Sequence, residues 1–348
     1  MSKSEIHSKN HPILAITLGE PAGIGPDIFL KMIQFPRNAH LIVFGCPKLL
    51  LQRAKKIGIE IKLNYIDNSS NIKNQDFLTA FPQPFEVNIV PILSNTPVQP
   101  GLLSVENSPY VLSALKQATD ACLQSYCDAI VTGPVHKDIL RQYDDIFIDQ
   151  THFISAQCNM DYQQVMMGFI SPGMRLALGT LHEPINLLSQ LLTPKLIEQK
   201  ISCFAKALSS FFKIAKPKIG VLGFNPHCGE NGLIGQEEQQ VLIPCIQKLN
   251  QIQNKYQLSA LLSPDSAFIA SNRAQYDGFL AWYHDQGLGP FKTLYEQQAA
   301  TILFGLPILR TSVDHGTALN LAGTNLADPS SFAYAIQLAT TLVNNHKQ

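Results

Sequence analysis

The chain has no surplus of either charge: 26 Lys and Arg offset 26 Asp and Glu over 348 residues. Proteins that grip nucleic acid usually leave a strongly basic footprint, so no such partner is expected. No apolar run approaches the roughly 18 residues of a membrane span. The opening MSKSEIHSKNHP lacks the apolar stretch of a secretory signal. The seven cysteines (46, 122, 127, 158, 203, 228 and 245) form no C-x-x-C pair. They read as reduced, mostly buried thiols of a cytoplasmic protein rather than a disulfide framework. Also missing are the G-x-G-x-x-G dinucleotide fingerprint, internal repeats and low-complexity tracts.

Strand-like apolar runs alternating with helical stretches make up most of the remainder. Strands are expected over 13–18, 41–45, 85–92, 128–133, 164–170, 174–181, 218–224 and 278–283. Helices are expected over 104–126, 185–215, 236–253 and 330–345. Within 104–126, Val111, Leu115, Ala118 and Cys122 hold an i, i+4, i+7, i+11 stripe. This alternation predicts an α/β fold with a mostly parallel sheet covered by helices on both faces. The length exceeds one typical core, which favours two domains or one large unit.

Three histidines stand where an apolar run breaks into a polar loop: His182 in LALGTLHEP, His227 in GVLGFNPHCGENG and His284 in FLAWYHDQG. Each is thereby expected near a strand's carboxyl end, the edge where open α/β sheets bind ligands. Three neutral imidazoles meeting there suit a divalent metal with positions left open for substrate. Their wide separation in sequence excludes a local finger or an H-E-x-x-H helix. Taken singly, each also fits an ordinary loop residue, and only the shared position after strands favours a site.

Other loops carry chemistry in the same way. Asp285 beside His284 can orient an imidazole or bind metal itself. Asp265 in SPDSAF is a candidate helix cap. TLGEPAGIGPDI, with Gly19, Gly23 and Gly25, reads either as a tight strand-to-helix turn or as an amide nest facing an anion. Lys292 follows in DQGLGPFK. Arg310 follows an apolar run and can fork onto a phosphate, or serve as an ordinary ion pair.

Taken together, GEPAGIGPDI, SVENSPYVL, TGPVHK, NPHCGENG, YHDQGL and LPILRTSVDHGTA resemble the 4-hydroxythreonine-4-phosphate dehydrogenase family, collinearly over roughly residues 12–345. The resemblance implies two α/β/α domains around a cleft, of the isocitrate/isopropylmalate-dehydrogenase kind. The first is expected over 1–135 plus 305–348, the second over 136–304. It implies a homodimer with the active site at the interface. His182, His227 and His284 would be the ligands of a divalent metal (zinc, magnesium or cobalt), one of them supplied across that interface. Lys292, Arg310 and Thr151 fall on substrate-binding positions, and Asp265, Asp285 and Lys292 on catalytic ones.

The implied reaction is metal-dependent oxidation and decarboxylation of 4-phosphooxy-L-threonine by NAD or NADP, giving 3-amino-2-oxopropyl phosphate for pyridoxal 5′-phosphate synthesis. No cofactor-binding residue can be assigned. Two blocks depart from the family pattern. G-H-T-E-F is represented by Asp149, Gln150, Thr151, His152 and Phe153, so Gln150 replaces a substrate-contacting histidine. The G-F-G-R-x-V-N segment reads YEQQAAT, with Thr301 at the substrate-binding asparagine. These changes leave open a sibling dehydrogenase for phosphorylated threonate or erythronate, or a non-catalytic metal and phosphometabolite binder.

Overall fold

The computed structural model describes residues 11–94, 96–295 and 298–347. In chain order its strands are β1 (Ile13–Thr17), β2 (His40–Gly45), β3 (Lys62–Tyr65), β4 (Glu86–Pro91), β5 (Ala129–Thr132), β6 (Met166–Ser171), β7 (Met174–Leu178), β8 (Lys218–Val221), β9 (Gln257–Leu258), β10 (Gly278–Ala281), β11 (Ala300–Phe304) and β12 (Leu309–Ser312). The chain divides into two compact units, Met1–Met160 with Pro307–Asn344, and Asp161–Leu306 with Asn345–Gln348.

In the first unit the strands lie in the order β3-β4-β2-β1-β5-β12, and every neighbouring pair is parallel. All residues of β2 and β5 are buried. A parallel strand covered on both faces has no solvent side, which is why HLIVFG and AIVT read as unbroken apolar runs. β1 pairs with β2 on one side and β5 on the other, so the winding of the sheet reverses at β1, the place where such sheets form a ligand crevice.

The loops after β1 and β5 meet at that reversal, where the Glu20 amide donates to the Pro134 carbonyl at 2.8 Å. Gly19 has φ +74, and a Cβ there would overlap the Pro134 carbonyl oxygen. The amides of this loop are already engaged. Ala22 N–H donates to Glu20 Oε1 at 3.0 Å, Gly23 N–H to Glu20 O at 3.1 Å and Ile24 N–H to Thr317 O at 3.0 Å. Of the two readings of this glycine-rich segment, the tight turn is the one found.

The helices Lys137–Tyr143 and Gln150–Gln157 pack against the helix Ser108–Leu123 of the first unit. The segment 136–160, expected in the second domain, therefore lies in the first compact unit.

In the second unit the order is β11-β6-β7-β10-β8-β9. β6 is antiparallel to both neighbours, whereas β7, β10, β8 and β9 run parallel. Phe169, Leu176, Leu178, Leu222, Phe279 and Phe291 fill its core. The long helical stretch expected over 185–215 breaks before Pro194. Thr193 caps a new helix, Pro194–Phe212, by accepting from the Leu196 amide at 3.3 Å, with proline at a first-turn position where its missing N–H costs nothing.

All seven cysteines are free. Burial raises the thiol pKa of Cys122 and Cys127 far above the ordinary value. Among the described residues no helix is long and apolar enough to cross a membrane.

Candidate active site

β7, β10 and β8 are adjacent parallel strands of the second unit, so their carboxyl ends share one edge. His182 follows β7, His284 follows β10 and His227 follows β8. The rings of His182 and His284 lie 5.5 Å apart between centroids, inclined at 42°. Two imidazoles bound to one tetrahedral ion, with bonds of about 2.0–2.1 Å, place their ring centres about 5 Å apart. The pair thus fits a shared metal ion. His284 Nδ1 lies 2.7 Å from Asp285 Oδ1. This contact favours a proton on Nδ1 and leaves Nε2 as the free ligand atom.

Backbone and buried side chains hold these loops together. Thr180, two residues before His182, bonds to the Trp282 carbonyl through both its amide (3.0 Å) and its hydroxyl (2.7 Å). Gln286 accepts from the Trp282 amide at 2.8 Å and donates to the Gly223 carbonyl at 2.6 Å, coupling the loop of His284 to the strand end that leads to His227. The Trp282 indole adds a bond to the Leu222 carbonyl at 2.7 Å. Nothing in the sequence pattern singled out Gln286. Its signal is a polar residue, 8% exposed, among buried apolar neighbours.

His227 stands apart from that pair. Among the described residues no group of three or more His, Cys, Asp or Glu side chains gathers as a metal cage. The residues from His227 to Asn231 all have positive φ, between 42° and 76°. Such a left-handed turn costs roughly 1–2 kcal/mol at each residue other than glycine, so its surroundings must hold it. Glu238, 0% exposed, accepts from the amides of Phe224 (2.8 Å) and Asn225 (2.6 Å) and from the Asn225 side-chain amide (2.9 Å). On its other side the turn packs against the short helix Pro264–Ala267. There a hydrogen bond from Ser263 at 2.5 Å, with a smaller contribution from the charge of His227, keeps the Asp265 carboxyl below its ordinary pKa.

Glu238→Ala would leave the Phe224 and Asn225 backbone amides without their acceptor, while the Asn225 side chain keeps Glu237 Oε2 at 2.8 Å. At about 1–3 kcal/mol for each such group, the variant is expected to lose at least about 2 kcal/mol in urea unfolding. Hydrogen exchange should also quicken over residues 224–231. An unchanged midpoint with unchanged exchange would sink this account of the turn.

Arg310 lies in the first unit, on β12. It is 4% exposed, and its Nε and Nη2 donate to Thr132 Oγ1 at 3.1 and 2.8 Å. Nη2 also donates to Gln150 Oε1 at 2.8 Å, while Gln150 Nε2 donates to the Gly133 carbonyl at 2.9 Å. Burial pulls the guanidinium pKa down to about 10, and the charge of Asp149 resists that shift. Among the described residues no carboxylate forms an ion pair with Arg310. A buried cation whose hydrogen-bond partners are neutral oxygens has the chemistry to accept an anion.

Gln150 and Thr151 open the helix Gln150–Gln157 and are both buried. Asp149 caps that helix by accepting from the His152 amide at 2.8 Å. Lys292 is exposed on the helix His284–Leu294 of the second unit. Thr301, 7% exposed, sits on β11 opposite Phe169. Of the YEQQAAT segment, Glu296 and Gln297 lie outside the described residues. The site residues thus form three groups: Arg310 with Gln150 and Thr132, His182 with His284 and Asp285, and His227 with Asp265.

The family model for the pyridoxal phosphate biosynthetic protein PdxA matches residues 37–339. The chain belongs to this family. Among curated members, 4-hydroxythreonine-4-phosphate dehydrogenase of Shewanella denitrificans is 39% identical over 331 residues, covering 95% of this chain and 98% of its own length. The Vibrio cholerae enzyme of the same name is 38% identical over 335 residues, at 96% and 98% coverage. The crystal structure of 4-hydroxythreonine-4-phosphate dehydrogenase from Klebsiella pneumoniae superposes with a TM-score of 0.82 at 28% identity, covering 95% of this chain and 99% of that one. A terephthalate 1,2-cis-dihydrodiol dehydrogenase from Burkholderia xenovorans, at 24% identity and a TM-score of 0.64, shares the fold. In this family setting the DQTHF block acquires a definite geometry. The Gln150 amide spans Arg310 and the Gly133 carbonyl.

Proposed function

We propose that this chain oxidises the 3-hydroxyl of 4-phosphooxy-L-threonine with NAD or NADP and releases the carboxylate as CO2, yielding 3-amino-2-oxopropyl phosphate for pyridoxal 5′-phosphate synthesis. The observation that carries this reading is Arg310, a buried guanidinium without a carboxylate partner among the described residues, in a chain of this family. It would bind an anionic end of the substrate, and Lys292 would add a second cation. Thr132 and Gln150 hold the guanidinium through its Nε and Nη2, and its remaining donors would serve the ligand. Thr151 and Thr301 would offer hydroxyls to the substrate's polar groups.

A divalent ion (zinc, magnesium or cobalt) at His182 and His284 would lower the pKa of the substrate hydroxyl and stabilise negative charge on its oxygen. Asp285, 2.7 Å from His284 Nδ1, would hold the ring for ligation through Nε2. Loss of such an outer partner typically costs 10–100-fold in metal affinity. Asp285→Asn is therefore expected to weaken zinc binding about 10- to 100-fold in a competition titration with a chromogenic chelator. Equal affinity in wild type and variant would remove Asp285 from the site.

Two imidazoles in one chain leave a third ligand to be found, and we place it on a second copy, in a homodimer whose site is shared between subunits. His227 is the candidate, because among the described residues no group of three or more His, Cys, Asp or Glu side chains gathers within one chain. Exposed apolar side chains support a covered surface beside both groups: Ile185 is 77% exposed next to His182, and Leu233 86% near His227.

The test is an assay of purified protein with metal, NAD or NADP, and each candidate acid, following the reduced nicotinamide. Turnover of 4-phosphooxy-L-threonine is expected. Turnover only of phosphorylated threonate or erythronate would replace this reading with the sibling enzyme, which the uncharged Gln150 favours because those acids lack an amino group. Binding without turnover of any acid would leave a non-catalytic homologue.

A further inference from the structure

The family's chemistry calls for a nicotinamide cofactor, yet the G-x-G-x-x-G fingerprint is absent from the sequence. In the glycine-rich loop after β1, the amides of Glu20, Ala22, Gly23 and Ile24 are engaged by protein acceptors. A different feature of the first unit has the right character. A cavity of about 370 Å3 opens beside the helix Pro47–Lys56, lined by Lys48, Gln52, Lys56, Ser94, Thr96 and Val98 among others. The helix follows β2 and the loop from Ser94 follows β4, so the cavity lies at the carboxyl edge of the parallel strands.

Among the described residues the lining contains no carboxylate. Two ammonium groups without a counter-charge select an anion, the hydroxyls of Ser94 and Thr96 suit a ribose, and Leu49, Pro97, Val98 and Pro100 supply an apolar wall for a flat base. Lys56, exposed like Lys48, passes beside Gly323, whose φ of +71 favours glycine. The Gly323 amide donates to Asp27 Oδ1 at 2.8 Å, and Asp27 pairs with Arg53 of the cavity floor. Arg53 in turn donates to the carbonyls of Pro21 and Gly23, each at 2.9 Å.

These bonds lock the cavity to the loop after β1, which touches the loop after β5 beyond Thr132, the partner of Arg310. Only β1 separates β2 from β5. At about 4.8 Å for each strand spacing, the step across the sheet is about 10 Å from β2 to Thr132 on β5 and about 14 Å from β2 to Arg310 on β12, within reach of a dinucleotide laid over its edge.

We propose that this cavity takes the adenosine-phosphate end of the nicotinamide cofactor, with Lys48 and Lys56 as its phosphate contacts. The proposal rests on the dehydrogenase reading above. An acidic side chain usually receives the 2′-hydroxyl of NAD, whereas a cation receives the 2′-phosphate of NADP. With lysines and no acid in the lining, NADP should bind at least as tightly as NAD.

Binding can be read without turnover, by isothermal titration of the full-length protein with ADP and with 2′,5′-ADP, in the absence of acid substrate and metal. Both should bind wild type, 2′,5′-ADP at least as tightly. Lys48→Glu and Lys56→Glu should each weaken binding about tenfold or more, the worth of roughly 1.4 kcal/mol, with melting temperatures unchanged. Undiminished binding in the double variant would overturn the site, as would failure of wild type to bind either nucleotide while NAD(P)-linked turnover persists. Nucleotide binding that depends on the lysines, in a protein that turns over no candidate acid, would uphold the cavity and sink the substrate reading instead.

Discussion

Arg310→Met is expected to lower kcat/KM for the phosphorylated acid by about 30- to 4,000-fold while the protein melts within a few degrees of wild type. The first part follows from losing a desolvated, charge-assisted contact, which costs about 2–5 kcal/mol. The second follows from what the guanidinium does in the absence of ligand. It is buried, its pKa is pulled down to about 10 by that burial, and no carboxylate among the described residues pairs with it. Replacing a buried charge by an apolar side chain of similar volume is often neutral or stabilising. Thr132 and Gln150 keep other partners, through Ser312 Oγ at 3.0 Å and the Gly133 carbonyl at 2.9 Å. Inorganic phosphate should raise the wild-type melting temperature, as a ligand of the native state does, and leave that of the variant unmoved. Near-wild-type turnover in Arg310→Met, or a collapse in its stability, would contradict this account.

Mixing two inactive variants is expected to restore activity. His227→Ala and His284→Ala should each be inactive alone, since each removes an imidazole from every site. If His227 serves the neighbouring subunit, a hybrid dimer carries one site with all its ligands and one with two missing. Random re-association then gives roughly a quarter of wild-type activity, half the dimers being hybrids with one working site each. If all three histidines belonged to one chain's site, no hybrid site would be complete and the mixture would stay inactive. The same mixing of His182→Ala with His284→Ala supplies the control. Those residues face each other within one chain, so both sites of that hybrid remain damaged and no activity should return.

Much of this organisation is legible in the sequence because buried parallel strands betray themselves as apolar runs. All eight expected strands are found, and the placement of His182, His227 and His284 after β7, β8 and β10 follows from them. The strands that escaped notice have other characters. β3 (KLNY) is a half-exposed edge, and β9 is two residues long. β11 and β12 lie in one apolar stretch, parted only by the turn residues Gly305 and Pro307. Site residues known by type, such as Arg310, could be named from the sequence, but their supports could not. Gln286 and Glu238 look like ordinary polar residues of a loop and a helix. Their importance arises from tertiary bonds to backbone groups at Gly223, Trp282, Phe224 and Asn225. The handedness of the turn from His227 to Asn231 is likewise set by Glu238 from outside the turn, since only one of its five residues is glycine.

The free cysteines give each unit its own unfolding reporter. Cys46, Cys122, Cys127 and Cys158 are buried in the first unit, and Cys245 in the second. A thiol reacts as its thiolate, and burial disfavours that form at Cys122 and Cys127. Alkylation at these positions thus has to wait for the chain around them to open. Pulse labelling with an alkylating reagent, mapped by mass, would time the opening of the two units separately. Nucleotide and metal should slow the two clocks independently, each protecting the unit that holds it.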